Sequence, residues 1–231
     1  MNSAILVAAG KGTRMGPNVD KLFLEVAGRP VVAHTWQRLN DAKCIDEIVV
    51  VVREGMEAAF TDLTEEWGWQ KPFRFVIGGA ERQDSVWNGL EALSPKSEIV
   101  AIQDAARPCT TEAVIAATVE AARATGAAVA AQPVTDTIKE SADGIFIERT
   151  PNRARLWSVQ TPQTFRVEVI RAALREVRKR NVLITDDTAA CELIGQPARL
   201  VLSPTPNPKV TVPEDLPYVE LLLRGVAARP V

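Results

Sequence analysis

Glycines and cations crowd one short segment, Ala8-Ala9-Gly10-Lys11-Gly12-Thr13-Arg14-Met15-Gly16, and Lys21 follows seven residues after Arg14. Glycines just past a first strand let backbone N–H groups turn toward bound phosphate oxygens. A dinucleotide fingerprint needs G-x-G-x-x-G, and here the third glycine, Gly16, comes one position late. The Walker pattern G-x-x-x-x-G-K-[ST] is absent. A third reading is a nucleoside triphosphate loop that carries its own cations, Arg14 and Lys21, against the charge of three phosphates. A plain glycine turn with surface charges stays open on this segment alone.

A second candidate is Asp104, in Asp104-Ala105-Ala106-Arg107-Pro108, at the end of an apolar run that reads as a parallel strand. Ligands of α/β sheets bind at that edge. A lone carboxylate beside a triphosphate suits one Mg²⁺ or similar hard divalent ion, with phosphate oxygens and waters as the other ligands. Asp104 could equally cap the following turn, and Arg107 could either meet an anionic substrate or pair with Asp104. The single histidine, His34, rules out a His-rich zinc site and reads as a structural residue within a helix. Cys44, Cys109 and Cys191 are odd in number and form no C-x-x-C, so they read as free thiols in a reducing compartment.

These residues need a scaffold, and the hydrophobic pattern supplies one. Strands are expected at Ala4–Ala8, Glu47–Val52, Phe73–Ile77, Glu98–Gln103 and Ala127–Ala131, with later ones at Arg199–Leu202 and Lys209–Val212. Helical periodicity covers Val31–Asp41, Met56–Trp67, Gln83–Leu93, Thr111–Ala124, Val167–Arg180, Asp187–Ile194 and Glu214–Arg224. Ile48 to Val52 is apolar at consecutive positions, as in a strand buried on both faces. The alternation predicts an α/β fold, a mostly parallel sheet with helices on both faces, in one domain spanning residues 1–231. Between Asp136 and Trp157 the rhythm breaks: Asp143-Gly144 joins two β-rich runs, which predicts a β-hairpin that projects as an arm, with a pair of edge strands packed on the parent domain as the alternative.

The composition narrows the partners. With 27 Lys and Arg against 29 Asp and Glu, the formal charge of the 231-residue chain is -2, which argues against a broad basic face for nucleic acid or an anionic membrane. Met1-Asn2-Ser3-Ala4 has no charged n-region, and no apolar run approaches membrane-spanning length, so a cytoplasmic protein is expected.

Further motifs complete a pattern: Gly78-Gly79-Ala80-Glu81-Arg82-Gln83-Asp84-Ser85-Val86, Asp136-Thr137-Ile138-Lys139, Gln160-Thr161-Pro162-Gln163 and Lys209-Val210-Thr211. In this order, with the glycine loop and the Asp104 motif, they resemble the 2-C-methyl-D-erythritol 4-phosphate cytidylyltransferase family of the non-mevalonate isoprenoid pathway, from about Ala4 to Leu223. The resemblance implies a Rossmann-like nucleotidyltransferase that joins CTP to a polyol phosphate and releases pyrophosphate. It implies that Arg14 and Lys21 stabilise charge on the α-phosphate and the leaving pyrophosphate. Arg153 and Lys209, ordinary surface cations by themselves, would hold the polyol phosphate for attack, and Asp104 would bind Mg²⁺. Arg107, Thr137, Thr161 and Thr185 match positions that contact the second substrate together with Asp104. Gly10, Gly12, Gly79 and Ser85, with the backbone at Ala8 and Ala9, match the nucleotide-binding positions. The arm would reach across a homodimer, so that Thr137 and Arg153 complete the neighbour's site.

Three positions depart from the family pattern: Thr135 lacks the basic residue often found there, Asn152 replaces an Asp before the arm's arginine, and Pro208 replaces an aliphatic residue before Lys209. A ribitol 5-phosphate cytidylyltransferase shares the loop and the Asp104 motif, so it remains an alternative at this level. A non-catalytic nucleotide-binding module on the same fold is another, though it fits poorly with a chain that keeps Arg14, Lys21 and Asp104.

Overall fold

The structure is a computed structural model that describes residues 1–10 and 20–225. Its elements run β1 (Asn2–Val7), β2 (Glu25–Val26), β3 (Arg29–Pro30), α1 (Val31–Asp41), β4 (Glu47–Val52), α2 (Glu57–Trp67), β5 (Phe73–Ile77), α3 (Arg82–Glu91) and β6 (Ile99–Asp104). The second half continues with α4 (Glu112–Thr125), β7 (Ala127–Pro133), β8 (Trp157–Arg166), α5 (Val167–Arg180), α6 (Asp187–Glu192), β9 (Arg199–Leu202) and α7 (Asp215–Leu223). Seven strands form one sheet in the order β5-β4-β1-β6-β8-β7-β9. Strand β8 is antiparallel to both its neighbours, and every other pairing is parallel.

The period of two in the strands sorts the core into two layers. Ala4 and Leu6 of β1 and Ile48, Val50 and Val52 of β4 face a cluster with α1, α2 and α7. Ile5, Val49 and Val51 face the opposite cluster, with α3, α5 and α6. All of these β4 side chains are buried, as expected for a strand covered on both faces. Burying each such side chain stabilises the fold by about 1.5–3 kcal/mol.

Two elements near the site differ from the sequence expectation. Lys209–Val212 is not a strand. It lies between Pro208 and Pro213, and its donors go elsewhere: Val210 N–H to Ala106 O, and the N–H groups of Thr211 and Val212 to the Asp215 carboxylate. Strand β8 was not expected, because Pro162 in its middle removes a ladder donor. The sheet absorbs that proline in a bulge: Val129 faces Gln163, but Ala131 faces Val159.

The arm is exposed as expected, but it is closed by a single antiparallel bridge, Glu140 with Arg149, instead of a two-stranded ladder. Side chains take the donors that a ladder would use. The Asp143 carboxylate accepts from Ile145 N–H and Phe146 N–H, and Glu148 accepts from Ala142 N–H. His34 is structural, as expected: its Nε2 donates to Val26 O at 2.7 Å and ties α1 to the β2–β3 hairpin. No helix among the described residues is long and apolar enough to cross a membrane.

Candidate active site

The chain order reverses between β1 and β6: β4 and β5 lie to one side of β1, and β6 lies to the other. Loops diverge at such a switch point and leave a crevice at the carboxyl ends of the strands. A cleft of about 280 Å³ opens there, lined by Val7 to Gly10, Lys21, Leu22, Gly79 to Arg82, Ser85, Asp104 to Ala106 and Lys209. Ala8, Ala9, Gly10, Lys21, Gly79, Ser85, Asp104 and Lys209 thus come together, although they are dispersed from residue 8 to residue 209. Arg14 and Gly12 lie outside the described residues.

Close approach shapes the far wall. A Cβ on Gly78 would sit 2.3 Å from Ala9 Cβ, and one on Gly79 would sit 2.2 Å from Asp84 Cβ, so only glycine lets these loops meet. Asp84 forms a capping box with Glu81 at the start of α3, which fixes where Arg82 leaves the helix. Ser85 Oγ accepts from Gly79 N–H at 3.1 Å and donates to Glu81 O at 3.2 Å, locking the same turn. Near the glycine loop, Arg53 pairs with Asp20 and donates to Gly10 O, clasping the two ends of the segment that carries Arg14.

A second cleft, of about 160 Å³, adjoins the first and shares its Arg82, Asp104 and Lys209; Arg107, Val159 to Thr161, Gln163, Thr185 and Asp186 complete it. Arg107, Thr161 and Thr185 therefore line one cleft together with Asp104. Thr161 sits in the β8 bulge, where its Oγ accepts from Asp104 N–H at 3.1 Å. Thr137 and Arg153 line neither cleft. Arg153 is exposed on the arm and donates to Thr135 O at 2.6 Å.

Charge concentrates on Asp104. Its Oδ2 is 2.8 Å from Lys209 Nζ and 3.6 Å from Arg107 Nε, and its Oδ1 is 3.5 Å from Arg82 Nε. Burial would raise its pKa, but Arg82, then Lys209 and Arg107, outweigh that and hold it at about 2. Lys21 is buried, and its Nζ donates to Val210 O at 3.0 Å, which sets it beside Lys209. A shared wall where Arg82 and Lys209 flank Asp104, with Arg107 beside it, suits two phosphorylated ligands meeting across it.

Sequence reasoning missed Arg82, Asp187 and Asn207. Arg82 stood in a quoted motif, but nothing local marked it as the residue common to both clefts. Asn207 is buried and links three segments: it donates to Thr161 O, accepts from Thr110 Oγ1, and offers its carbonyl to Arg107 Nη1. Asp187 is fully buried and lies 2.8 Å from Arg82 Nη2.

Comparisons with known proteins bear on the family and the fold. The family described as 2-C-methyl-D-erythritol 4-phosphate cytidylyltransferase matches residues 3–225. Two curated proteins of that name, from Alkaliphilus oremlandii and Pelotomaculum thermopropionicum, are each 42% identical; they align over 96% and 98% of this chain, and over 94% and 96% of their own. Among solved structures, 4-diphosphocytidyl-2C-methyl-D-erythritol synthase from Anaerococcus prevotii is similar at a TM-score of 0.86 and 32% identity, over 96% of each chain. The 2-C-methyl-D-erythritol 4-phosphate cytidylyltransferase from Thermus thermophilus is similar at 0.77 and 31%, over 97% of this chain and all of that one.

Proposed function

The chain belongs to the 2-C-methyl-D-erythritol 4-phosphate cytidylyltransferase family, and from that premise we propose how its two clefts carry out the transfer. The enzyme joins CTP and 2-C-methyl-D-erythritol 4-phosphate to give 4-diphosphocytidyl-2-C-methyl-D-erythritol and pyrophosphate, in isoprenoid precursor biosynthesis. The observation that carries the mechanism is the wall of Arg82, Asp104 and Lys209 common to both clefts.

In this reading CTP occupies the larger cleft, its base end toward Gly79 and Ser85 and its phosphates toward Gly10 and Lys21. The polyol phosphate occupies the smaller one, near Arg107, Thr161 and Thr185. An oxygen of its phosphate attacks the α-phosphorus of CTP in line; the new P–O bond forms as the bond to the β-phosphate oxygen breaks and pyrophosphate leaves. Such a step asks for positioning and charge neutralisation, without a covalent nucleophile. Lys21, with Arg14 from the loop, stabilises the charge that gathers on the α-phosphate and leaving group. Lys209 orients the attacking phosphate.

A divalent cation belongs to this reading, and the donor set bears on where it binds. Among the described residues no group of three or more His, Cys, Asp or Glu side chains gathers. Asp104 is ionised and is the carboxylate common to both clefts, and Mg²⁺ is typically held by one or two carboxylates with phosphates and water. The residues therefore fit an ion that Asp104 holds jointly with the triphosphate, and its chemistry when bound is neutralisation of phosphate charge.

The rest of the chain follows the same reading: one nucleotidyltransferase domain, working in the cytoplasm as a homodimer. The dimer is supported by the arm, where Ile145 is 77% exposed and Phe146 74%, and by the distance of Thr137 and Arg153 from both clefts of their own chain. The test of the reaction is pyrophosphate release from CTP with 2-C-methyl-D-erythritol 4-phosphate or ribitol 5-phosphate, with UTP and ATP as nucleotide controls. Turnover is expected with CTP and the methylerythritol phosphate, and equal or faster turnover with ribitol phosphate would overturn the substrate assignment.

A further inference from the structure

Asp187 lines neither cleft, yet it is a wholly buried carboxylate one residue from the rim of the smaller one. Its side chain is not needed to start α6. Asp186 caps that helix by accepting from Ala189 N–H at 2.8 Å, and Gln163 Oε1 accepts from the N–H groups of Asp187 and Thr188 at 2.9 and 3.2 Å. The Asp187 carboxylate instead faces Arg82 Nη2 at 2.8 Å. Burying a charge is costly unless a partner compensates, so a carboxylate at this position points to a task for the pair.

The geometry of Arg82 indicates the task. Its Nη2 meets Asp187, while its Nε lies 3.5 Å from Asp104 Oδ1. A planar guanidinium can bridge two carboxylates in a fixed orientation, which a lysine ammonium cannot reproduce. The bridge divides the charge of Arg82 between two anions. Lys209, at 2.8 Å, is left as the close partner of Asp104.

We infer that Asp187 is a positioning residue for the transfer, acting through Arg82: it holds the guanidinium on the wall common to both clefts and keeps it from displacing Lys209 on Asp104. Without the Asp187 carboxylate, Arg82 has Asp104 as its remaining carboxylate partner and competes with the lysine that orients the attacking phosphate. The inference rests on the reaction proposed above.

The test is steady-state kinetics with CTP and 2-C-methyl-D-erythritol 4-phosphate on wild type, Asp187→Asn, Arg82→Lys, Arg82→Gln and the Asp187→Asn/Arg82→Gln double variant. Far-UV circular dichroism and thermal unfolding of each variant serve as the check of folding, and calorimetry of CTP binding is run on Asp187→Asn. Asp187→Asn is expected to lower kcat by about tenfold to a hundredfold and raise the KM of the polyol phosphate, with the CTP KM within about twofold of wild type. Arg82→Lys keeps the charge and is expected to lose a similar factor. Adding Asp187→Asn to Arg82→Gln should cost less than about twofold, because the residues act as one unit. A CTP-binding Asp187→Asn protein with wild-type kcat would overturn the inference, as would full activity in Arg82→Lys or losses that multiply in the double variant. Should Asp187→Asn fail to fold, the Arg82→Lys result decides alone. An inactive wild type would instead overturn the reaction.

Discussion

Lys21 and Lys209 lie far apart in the chain, yet Lys21 Nζ bonds the carbonyl of Val210, the very next residue after Lys209. The cation assigned to the nucleotide phosphates thus lines the same cleft as the cation assigned to the attacking phosphate. A charge that matters most as the transition state forms affects kcat more than substrate binding. Lys21→Ala is therefore expected to lower kcat by about 10²–10³ with little change in the CTP KM; a raised KM with intact kcat would show a binding role only. Asp104 yields a prediction of a different kind. Its pKa is about 2 in the folded protein against an ordinary 3.8, so folding favours its charged form and the stabilisation is lost as pH falls from about 4 to about 2. The effect is about 2 kcal/mol. In urea unfolding from about pH 6 down to about pH 2, the gap between wild type and Asp104→Asn should close toward the acid end. A gap constant with pH would contradict the ion-pair account.

The elements work by presenting short loops at one edge, and the glycine pair between β5 and α3 shows how little room they leave. Gly79→Ala places a Cβ 2.2 Å from Asp84 Cβ, so the Glu81–Asp84 capping box or the loop must shift. CTP affinity in that variant, measured by calorimetry, is expected to fall by about tenfold, equivalent to roughly 1.4 kcal/mol. Elements with a clear hydrophobic period or an unbroken apolar run were legible in the sequence: Glu47–Val52, Phe73–Ile77, Val31–Asp41 and Val167–Arg180 all form at the expected bounds. Elements shaped by distant partners were not. Strand β8, which carries a proline, was not among the expected strands, and the bulge opposite β7 is what accommodates it. Residues 209–212 read as a strand, but their donors are taken by Ala106 and Asp215. The same distinction holds in the site. Lys21, Asp104 and Lys209 stood in recognisable motifs, whereas Asn207 gains its place only from contacts that cross 46 to 100 residues of chain.

At the scale of the whole molecule, the arm is the part that the single chain leaves unfinished. Ile147 is 63% exposed beside the still more exposed Ile145 and Phe146, and a hairpin held by one bridge has little stability of its own in water. In the proposed dimer, a second copy related by a two-fold axis would supply the covering surface and would bring Thr137 and Arg153 to the clefts that they do not line in their own chain. Phe146→Asp is expected to shift the protein toward monomer in sedimentation velocity and to lower activity at dilute concentrations, whereas a variant that stays dimeric would place the interface elsewhere. The most direct measurement mixes Arg153→Ala protein with Lys21→Ala protein under subunit exchange and follows pyrophosphate release. If each site takes Lys21 from one chain and Arg153 from the other, half of the dimers are mixed and each of these has one intact site, so about a quarter of wild-type activity should return. If exchange is verified and activity stays at the level of the separate variants, Arg153 acts within its own chain and the two-chain site is wrong.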